Sequence, residues 1–271
     1  VAKAIFAAMR IRFEKWHGAG NDFIVIDDRS LGFRHHDAAA VERLCDRHLG
    51  VGSDGLVLIQ SPKGPGSDFH MEFLNPDGSR SFCGNGSRCA FAAWSAWHGS
   101  VGSARFTAFD GEHVGRWQGD QVMVTIRPVE RPAEVRWLPS ADFVDTGSPH
   151  LLIWTDRVRE APLAALAPPL RHDARFGAGG TNVNLVEMNG SCLRMRTFER
   201  GVEAETLSCG SGVVAAALSA ITRHGMASPV KVETMGGVLQ VEATVDEAGF
   251  REVRLLGPAQ LVFVGEIAER P

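Results

Sequence analysis

Cys83-Gly84-Asn85-Gly86 and Cys209-Gly210-Ser211-Gly212 match without a gap, and their separation of 126 residues (209 − 83) is close to half of a 271-residue chain. The offset persists downstream: Ala90 maps on Ala216, His98-Gly99 on His224-Gly225, and Gly111 on Gly237. A spacing held that far reads as duplication of a structural unit. Each copy sets a cysteine before a glycine-rich turn that leads into Ala90–Trp97 or Val213–Ile221. Both stretches are apolar almost all round, so each predicts a helix enclosed by other elements.

What encloses them reads as strands. Arg10–Glu14 alternates, and Phe23–Ile26, Leu56–Ile59 and Met71–Leu74 are short apolar runs. Phe106–Phe109 and Gln121–Arg127 follow the first helix, with Asp110-Gly111 as a hairpin signal. The second half repeats the order with Val183–Glu187, Leu193–Phe198, Val230–Thr234 and Val238–Val245. Asp37–His48 has helical spacing, with Asp37 as N-cap and Gly50 as stop. Asn75-Pro76-Asp77-Gly78 is a turn, and Ser61–Ser67 a surface loop. The fold class is therefore α+β: two similar domains, each of strands wrapped around a central helix. Pro128, Pro132 and Pro139 put the boundary near residue 128, giving domains 9–128 and 129 onward.

Composition sets the outer bounds. The chain is 44% hydrophobic and 22% charged with net charge −4, which gives no sign of nucleic-acid or anionic-membrane binding. No apolar run approaches the roughly 18 residues of a spanning helix. Five cysteines without regular spacing do not resemble a secreted disulfide framework, and a reducing cytoplasm fits better. Residues 1–8 are too short for a signal peptide. Met9 is read as the native start and 1–8 as an extra leader, so a chain beginning at Met9 should be fully active.

A helix N-terminus lowers a thiol pKa and binds anions through its unpaired N–H groups. Two such termini facing each other would grip one α-carboxylate and stabilise the charge left when the α-proton departs. One cysteine would act as base while the other donates from the opposite face, with no cofactor required. A structural reading of both cysteines as buried core residues explains neither the matched positions nor the glycines.

The chain also resembles the diaminopimelate epimerase family over most of its length. The resemblance is carried by FEKWHGAGNDF (Phe13–Phe23), RHLGVGSDG (Arg47–Gly55), FLNPDGSRSFCGNGSRC (Phe73–Cys89), DTGSPH (Asp145–His150), GGTNVN (Gly179–Asn184) and FERGVEAETLSCGSG (Phe198–Gly212). It implies a β-roll around a helix in each domain, an active site in the cleft between them, and a last strand, 258–271, that returns to the first domain and leaves 129–257 as the second. It implies cofactor-independent interconversion of LL- and meso-diaminopimelate, with Cys83 and Cys209 as the catalytic pair and no metal. Gly84-Asn85 and Gly210-Ser211 would hold a carboxylate. Asn21, Asn75, Asn182, Glu199 and Arg200 would bind the rest of the substrate, whose distal carboxylate suits a cation and whose ammonium groups suit acceptors. His150 and Glu199 would support proton placement. Three departures are visible: Ser148 where many members have Asn, Gly55 where some have a larger polar residue, and Ser211 for the commoner Thr. A homodimer is the usual state of resembling proteins.

Three other readings are weaker. A racemase of another amino acid would keep both cysteines and change the distal pocket. A Cys-His hydrolase would use one cysteine with His150 and leave the duplication unexplained. Structural zinc lacks a C-x₂-C pair. Cys45, Cys89 and Cys192 read as packing residues.

Overall fold

The computed structural model describes residues 10–33 and 37–268; the leader and Met9 lie outside the described residues. Strands β1 (Arg10–Gly18) and β2 (Asn21–Asp27) form a hairpin whose two turn residues, Ala19 and Gly20, both have positive φ (54° and 81°). That is the turn whose twist matches paired strands. Helix α1 (Ala38–Cys45) crosses over to β3 (Gly55–Gln60), parallel to β2, and β4 (Phe69–Leu74) returns antiparallel. Helix α2 (Gly84–Trp97) is the next crossover, to β5 (Ser103–Ala108), parallel to β4. The meander β6 (Gly111–Gln118) and β7 (Gln121–Thr125) follows. Short β8 (Val129–Glu130) and β9 (Ala133–Glu134) lead into the second half.

That half repeats the path: β10 (Ala141–Asp145), β11 (Pro149–Trp154), α3 (Leu163–Arg171), β12 (Asn182–Asn189) and β13 (Cys192–Glu199). After a short β14 (Ala204–Thr206) come α4 (Gly210–His224), β15 (Val230–Thr234), β16 (Gly237–Val245) and β17 (Gly249–Gly257). The parallel pairs recur in the same places, β11 with β12 and β13 with β15. Strand β18 (Gln260–Ala268) then pairs antiparallel with β1, Arg10 opposite Ala268. Antiparallel pairing of β7 with β17, Val124 opposite Leu255, joins the two halves into one sheet system.

Helices α2 and α4 are sheathed, as the all-round apolar pattern predicts. Ala90, Phe91 and Ala93 of α2 and Val213 to Leu218 of α4 have no exposure and belong to one core with Val57, Phe106, Val232 and Leu239. Full burial of a side chain such as Phe91 contributes about 1.5–3 kcal/mol. The outer helices cover the opposite faces, α1 over Ile24 and Leu58, α3 over Val183 and Leu185.

Four local expectations are corrected. The helix from Asp37 keeps its cap, with the Asp37 side chain accepting from the Ala40 N–H, but ends at Cys45 rather than His48. Asp46 stops it by accepting from the His48 and Leu49 N–H groups, both at 2.7 Å, a local side-chain alternative to the helix ladder. The strand expected through Phe109 ends at Ala108, leaving Phe109 63% exposed beside the turn. The strand expected through Arg127 ends at Thr125. Helix α3 was not expected, because Pro168 and Pro169 lie inside it and Pro162 provides no side-chain cap.

Candidate active site

The two helix starts meet. Cys83 caps α2, its Sγ accepting from the Gly86 N–H at 3.4 Å. Cys209 holds the same place on α4, its Sγ 3.4 Å from Ser211 Oγ. The Asn85 amide ties the termini together, donating to Asn21 Oδ1 (3.1 Å) and to the Ser208 carbonyl (3.4 Å). A Cβ placed on Gly210 would stand 2.7 Å from Asn85 Oδ1, so this approach requires glycine.

Around these termini lies a cleft of about 510 Å³. Cys83, Cys209, Gly84, Gly210, Ser211, Asn21, Asn75, Ser148, Asn182, Glu199 and Arg200 line it, while Asn85 and His150 sit behind its wall. Thus every candidate site residue named from the sequence falls at or against one cavity. A separate groove of about 550 Å³, outside β1 and β2, contains no cysteine.

The polar groups are held by identifiable partners. Asn21 donates to Asp54 Oδ2 at 2.7 Å. Asn75 donates to Ser79 and Ser81 across its turn. Asn182 donates to Ser148 Oγ and the Pro149 carbonyl, both at 2.9 Å, and accepts from the Arg200 N–H at 2.8 Å. The Arg200 guanidinium reaches Ser148 Oγ at 3.5 Å and has no carboxylate partner among the described residues, although it is exposed to the cleft. Ser148 is thus short but engaged on two sides.

A donor chain ends on Cys209. Asn184 donates to His150 Nδ1 (3.2 Å), which leaves the Nε2–H to donate to Ser211 Oγ (2.9 Å), and the Ser211 hydroxyl then points to Cys209 Sγ. Asn184 is itself fixed by Leu151 and Thr197. Burial, aided by the charge of Arg200, pushes His150 down to about 3, so it is a neutral donor and not an imidazolium. Ser211 provides the hydroxyl this chain needs. Asn184 lies in a quoted motif but was not singled out; its alternation with Asn182 on β12 is the signal that puts both on one face.

Burial pushes the Cys83 thiol up to about 12 and Cys209 upward as well. Burial also raises Glu199 to about 7, with the Asp54 charge adding and the Thr206 hydroxyl bond (2.8 Å) opposing. The cleft therefore holds two thiols and a carboxyl that gains or loses a proton near neutrality. Asp54, missed in the sequence, lines the same cavity and is kept in place by Arg47 at 2.7 Å. At Gly55 a Cβ would meet the Phe73 ring at 2.5 Å, so Phe73 occupies the room a larger residue there would need.

Among the described residues no group of three or more His, Cys, Asp or Glu is arranged to hold a metal ion, and no helix is long and apolar enough to cross a membrane. The duplicated β-wrapped helix with a central cleft is a fold shared with solved structures. A phenazine biosynthesis protein of the PhzF family from Bacillus anthracis superposes with TM-score 0.73 at 13% identity, covering 96% of this chain and 99% of that one. A hydroxyproline epimerase from Agrobacterium vitis does so with TM-score 0.66 at 16% identity, covering 96% and 92%.

Sequence comparison is more specific. The family model described as diaminopimelate epimerase matches residues 13–126 and 143–262. The diaminopimelate epimerase of Flavobacterium psychrophilum is 34% identical over 93% of this chain and 98% of its own. That of Aquifex aeolicus is 36% identical over 96% and 98%. The chain belongs to the diaminopimelate epimerase family, a family of isomerases.

Proposed function

We propose that this enzyme interconverts LL- and meso-diaminopimelate without a cofactor, as a step toward lysine, using Cys83 and Cys209 as paired acid and base. The observation that carries the reading is the convergence of two cysteine-capped helix starts on one cleft. The backbone N–H groups of Gly84-Asn85 and Gly210-Ser211 take the α-carboxylate of the reacting end. One thiolate removes the α-proton, and the negative charge passes into the carboxylate, where the two helix termini stabilise it. The opposite thiol then donates its proton to the other face. The enzyme finishes with thiol and thiolate exchanged, so protons balance over the turnover.

Glu199 supports this step. Its carboxylate lines the same cleft as both thiols and is the group placed to take the proton that a thiol must lose before it acts as base. His150 acts through Ser211 as a neutral donor toward Cys209. Arg200, cationic and without a carboxylate partner among the described residues, suits the distal carboxylate, and Asn75 and Asn182 frame that end. A site of this kind rejects amino acids that lack the second carboxylate.

The same proposal covers organisation. The chain divides into domains 9–128 and 129–257, with 258–271 returning to the first, and works in the cytoplasm as a homodimer. Pairing of β18 with β1 supports the return. Among the described residues the pairing register of β18 is with β1, and its exposed Leu261, Val262, Phe263 and Val264 form an apolar edge of the sort a second copy covers.

The decisive test is α-proton exchange in D₂O with LL-diaminopimelate and a chelator present. Deuterium entering one α-carbon together with appearance of the meso isomer is expected. Exchange with another amino acid only would move the substrate, and no exchange at all would return the hydrolase reading.

A further inference from the structure

Arg88 sits one turn into α2 and has no solvent exposure. Its Nε donates to the Pro258 carbonyl at 3.3 Å and one terminal nitrogen to Asn85 Oδ1 at 2.9 Å. The other terminal nitrogen has no hydrogen-bond partner, and no carboxylate lies within ion-pair distance among the described residues. Two glycines shape the enclosure: a Cβ on Gly18 would meet the guanidinium at 3.0 Å, and one on Gly257 at 3.2 Å. A buried cation without a counter-charge is costly to fold around. The second half contains no equivalent, since the position 126 residues on (214 − 88) is Val214.

Arg88 also heads a directed chain. It donates to Asn85, Asn85 donates to Asn21 at 3.1 Å, and Asn21 donates to Asp54 at 2.7 Å. A cation at one end and a carboxylate at the other leave each amide only one satisfactory orientation, and bonds aligned this way polarise one another. Asn21 lines the cleft, and Asn85 sits directly behind its wall.

We infer that Arg88 is a positioning residue that places a positive charge behind the site, on the helix that Cys83 caps, orienting Asn85 and Asn21 and favouring the thiolate at Cys83 over Cys209. This rests on the two-thiol reading above and adds an asymmetry to it. The charged and titratable neighbours agree. Cys83 is faced by Glu199 from β13, Cys209 from the start of α4, and Arg88 on its own helix. Cys209 is faced by Glu199 and Cys83, and Arg200 bears on His150 behind it. Cys89 adjoins Arg88, and burial pushes its thiol up as it does that of Cys83. Burial lowers Arg88 to about 10, so it remains cationic at neutral pH.

The test is the pH dependence of iodoacetamide alkylation at each cysteine, read by mass spectrometry in substrate-free wild type, Arg88→Met and Arg88→Lys. In wild type the Cys83 midpoint lies below that of Cys209. In Arg88→Met it rises by about one pH unit while Cys209 stays put. Arg88→Lys keeps the charge and the low midpoint, yet loses kcat with little change in KM, because an ammonium does not hold the Asn85 amide as a guanidinium does. A wild-type Cys83 midpoint at or above that of Cys209 overturns the inference without any variant. So does a folded Arg88→Met with the Cys83 profile unmoved. Should diaminopimelate fail to exchange while these profiles hold, the substrate assignment falls and the role of Arg88 stands.

Discussion

Alanine at the two helix starts should have unequal consequences. Neither Gly84 nor Gly210 has a positive φ, so Ala at either is sterically decided. At Gly84 the new Cβ would lie 3.0 Å from Leu255 Cδ2, a methyl held by core packing and by no hydrogen bond. At Gly210 it would lie 2.7 Å from Asn85 Oδ1 and 3.2 Å from Asn85 Cγ. That amide cannot turn away, because Arg88 holds its oxygen and Asn21 and Ser208 hold its nitrogen. Overpacking a fixed neighbour costs about 1–3 kcal/mol, more than the roughly 1 kcal/mol that replacing Gly with Ala returns in helix propensity. The strain is relieved by separating the termini by a fraction of an ångström to about one ångström, and a misplacement of that order costs about 100-fold in rate. Steady-state epimerisation by both variants, with thermal melts to confirm folding, provides the comparison. Gly210→Ala should lose about two orders of magnitude in kcat and Gly84→Ala less than tenfold. Equal losses, or a Gly210→Ala enzyme at the wild-type rate, would refute the claim that the Asn85 contact sets the spacing.

Cys83→Ala and Cys209→Ala should each abolish epimerisation with an intact far-UV spectrum; full turnover by either contradicts the two-base scheme. Arg200→Ala should raise KM for diaminopimelate steeply, and an unchanged KM would show that the distal carboxylate binds elsewhere. kcat/KM should rise with pH through about 7 as Glu199 ionises, and Glu199→Gln should be slower and lack that limb; a limb of the same midpoint in the variant assigns it to another group. Asp142 is buried, which raises its pKa, but bonds from Arg223, Ser219 and Trp154 outweigh this and hold it below the usual range. Its contribution is therefore full above the unfolded carboxylate pKa near 4 and fades as pH falls below that. Asp142→Asn should destabilise by about 2 kcal/mol at pH 7, with the gap to wild type narrowing in acid denaturation; a constant gap would argue against ionisation as the cause.

Much of this molecule is legible in its residue order because duplication writes the same instructions twice. The all-round apolar stretches after Cys83 and Cys209 announce sheathed helices, and the site residues fall around one cleft. The offset also carries α1, Ala38–Cys45, onto 164–171, within α3. Pro168 and Pro169 mask that helix locally, and only the repeat could have revealed it. Asp54, Asn184 and Arg88 were overlooked because none is itself reactive. Each acts by orienting an amide or imidazole, and orientation depends on long-range approach, such as Asn85 to Asn21 across 64 positions. The pairing of β7 with β17 likewise has no local signature.

The pairing of β1 with β18 has a kinetic consequence. Arg10 and Glu266 touch across 256 positions. Until β18 is synthesised, β1 has its β2 neighbour but an open flank, since its other neighbour begins 242 residues after it ends (260 − 18). Contacts of such separation come late and slow the search for the native state. The nascent first half therefore waits with a bare apolar strand edge, the condition in which chains stick to one another or to chaperones. Synthesis of β18, rather than completion of the first half, is the moment at which this fold can close.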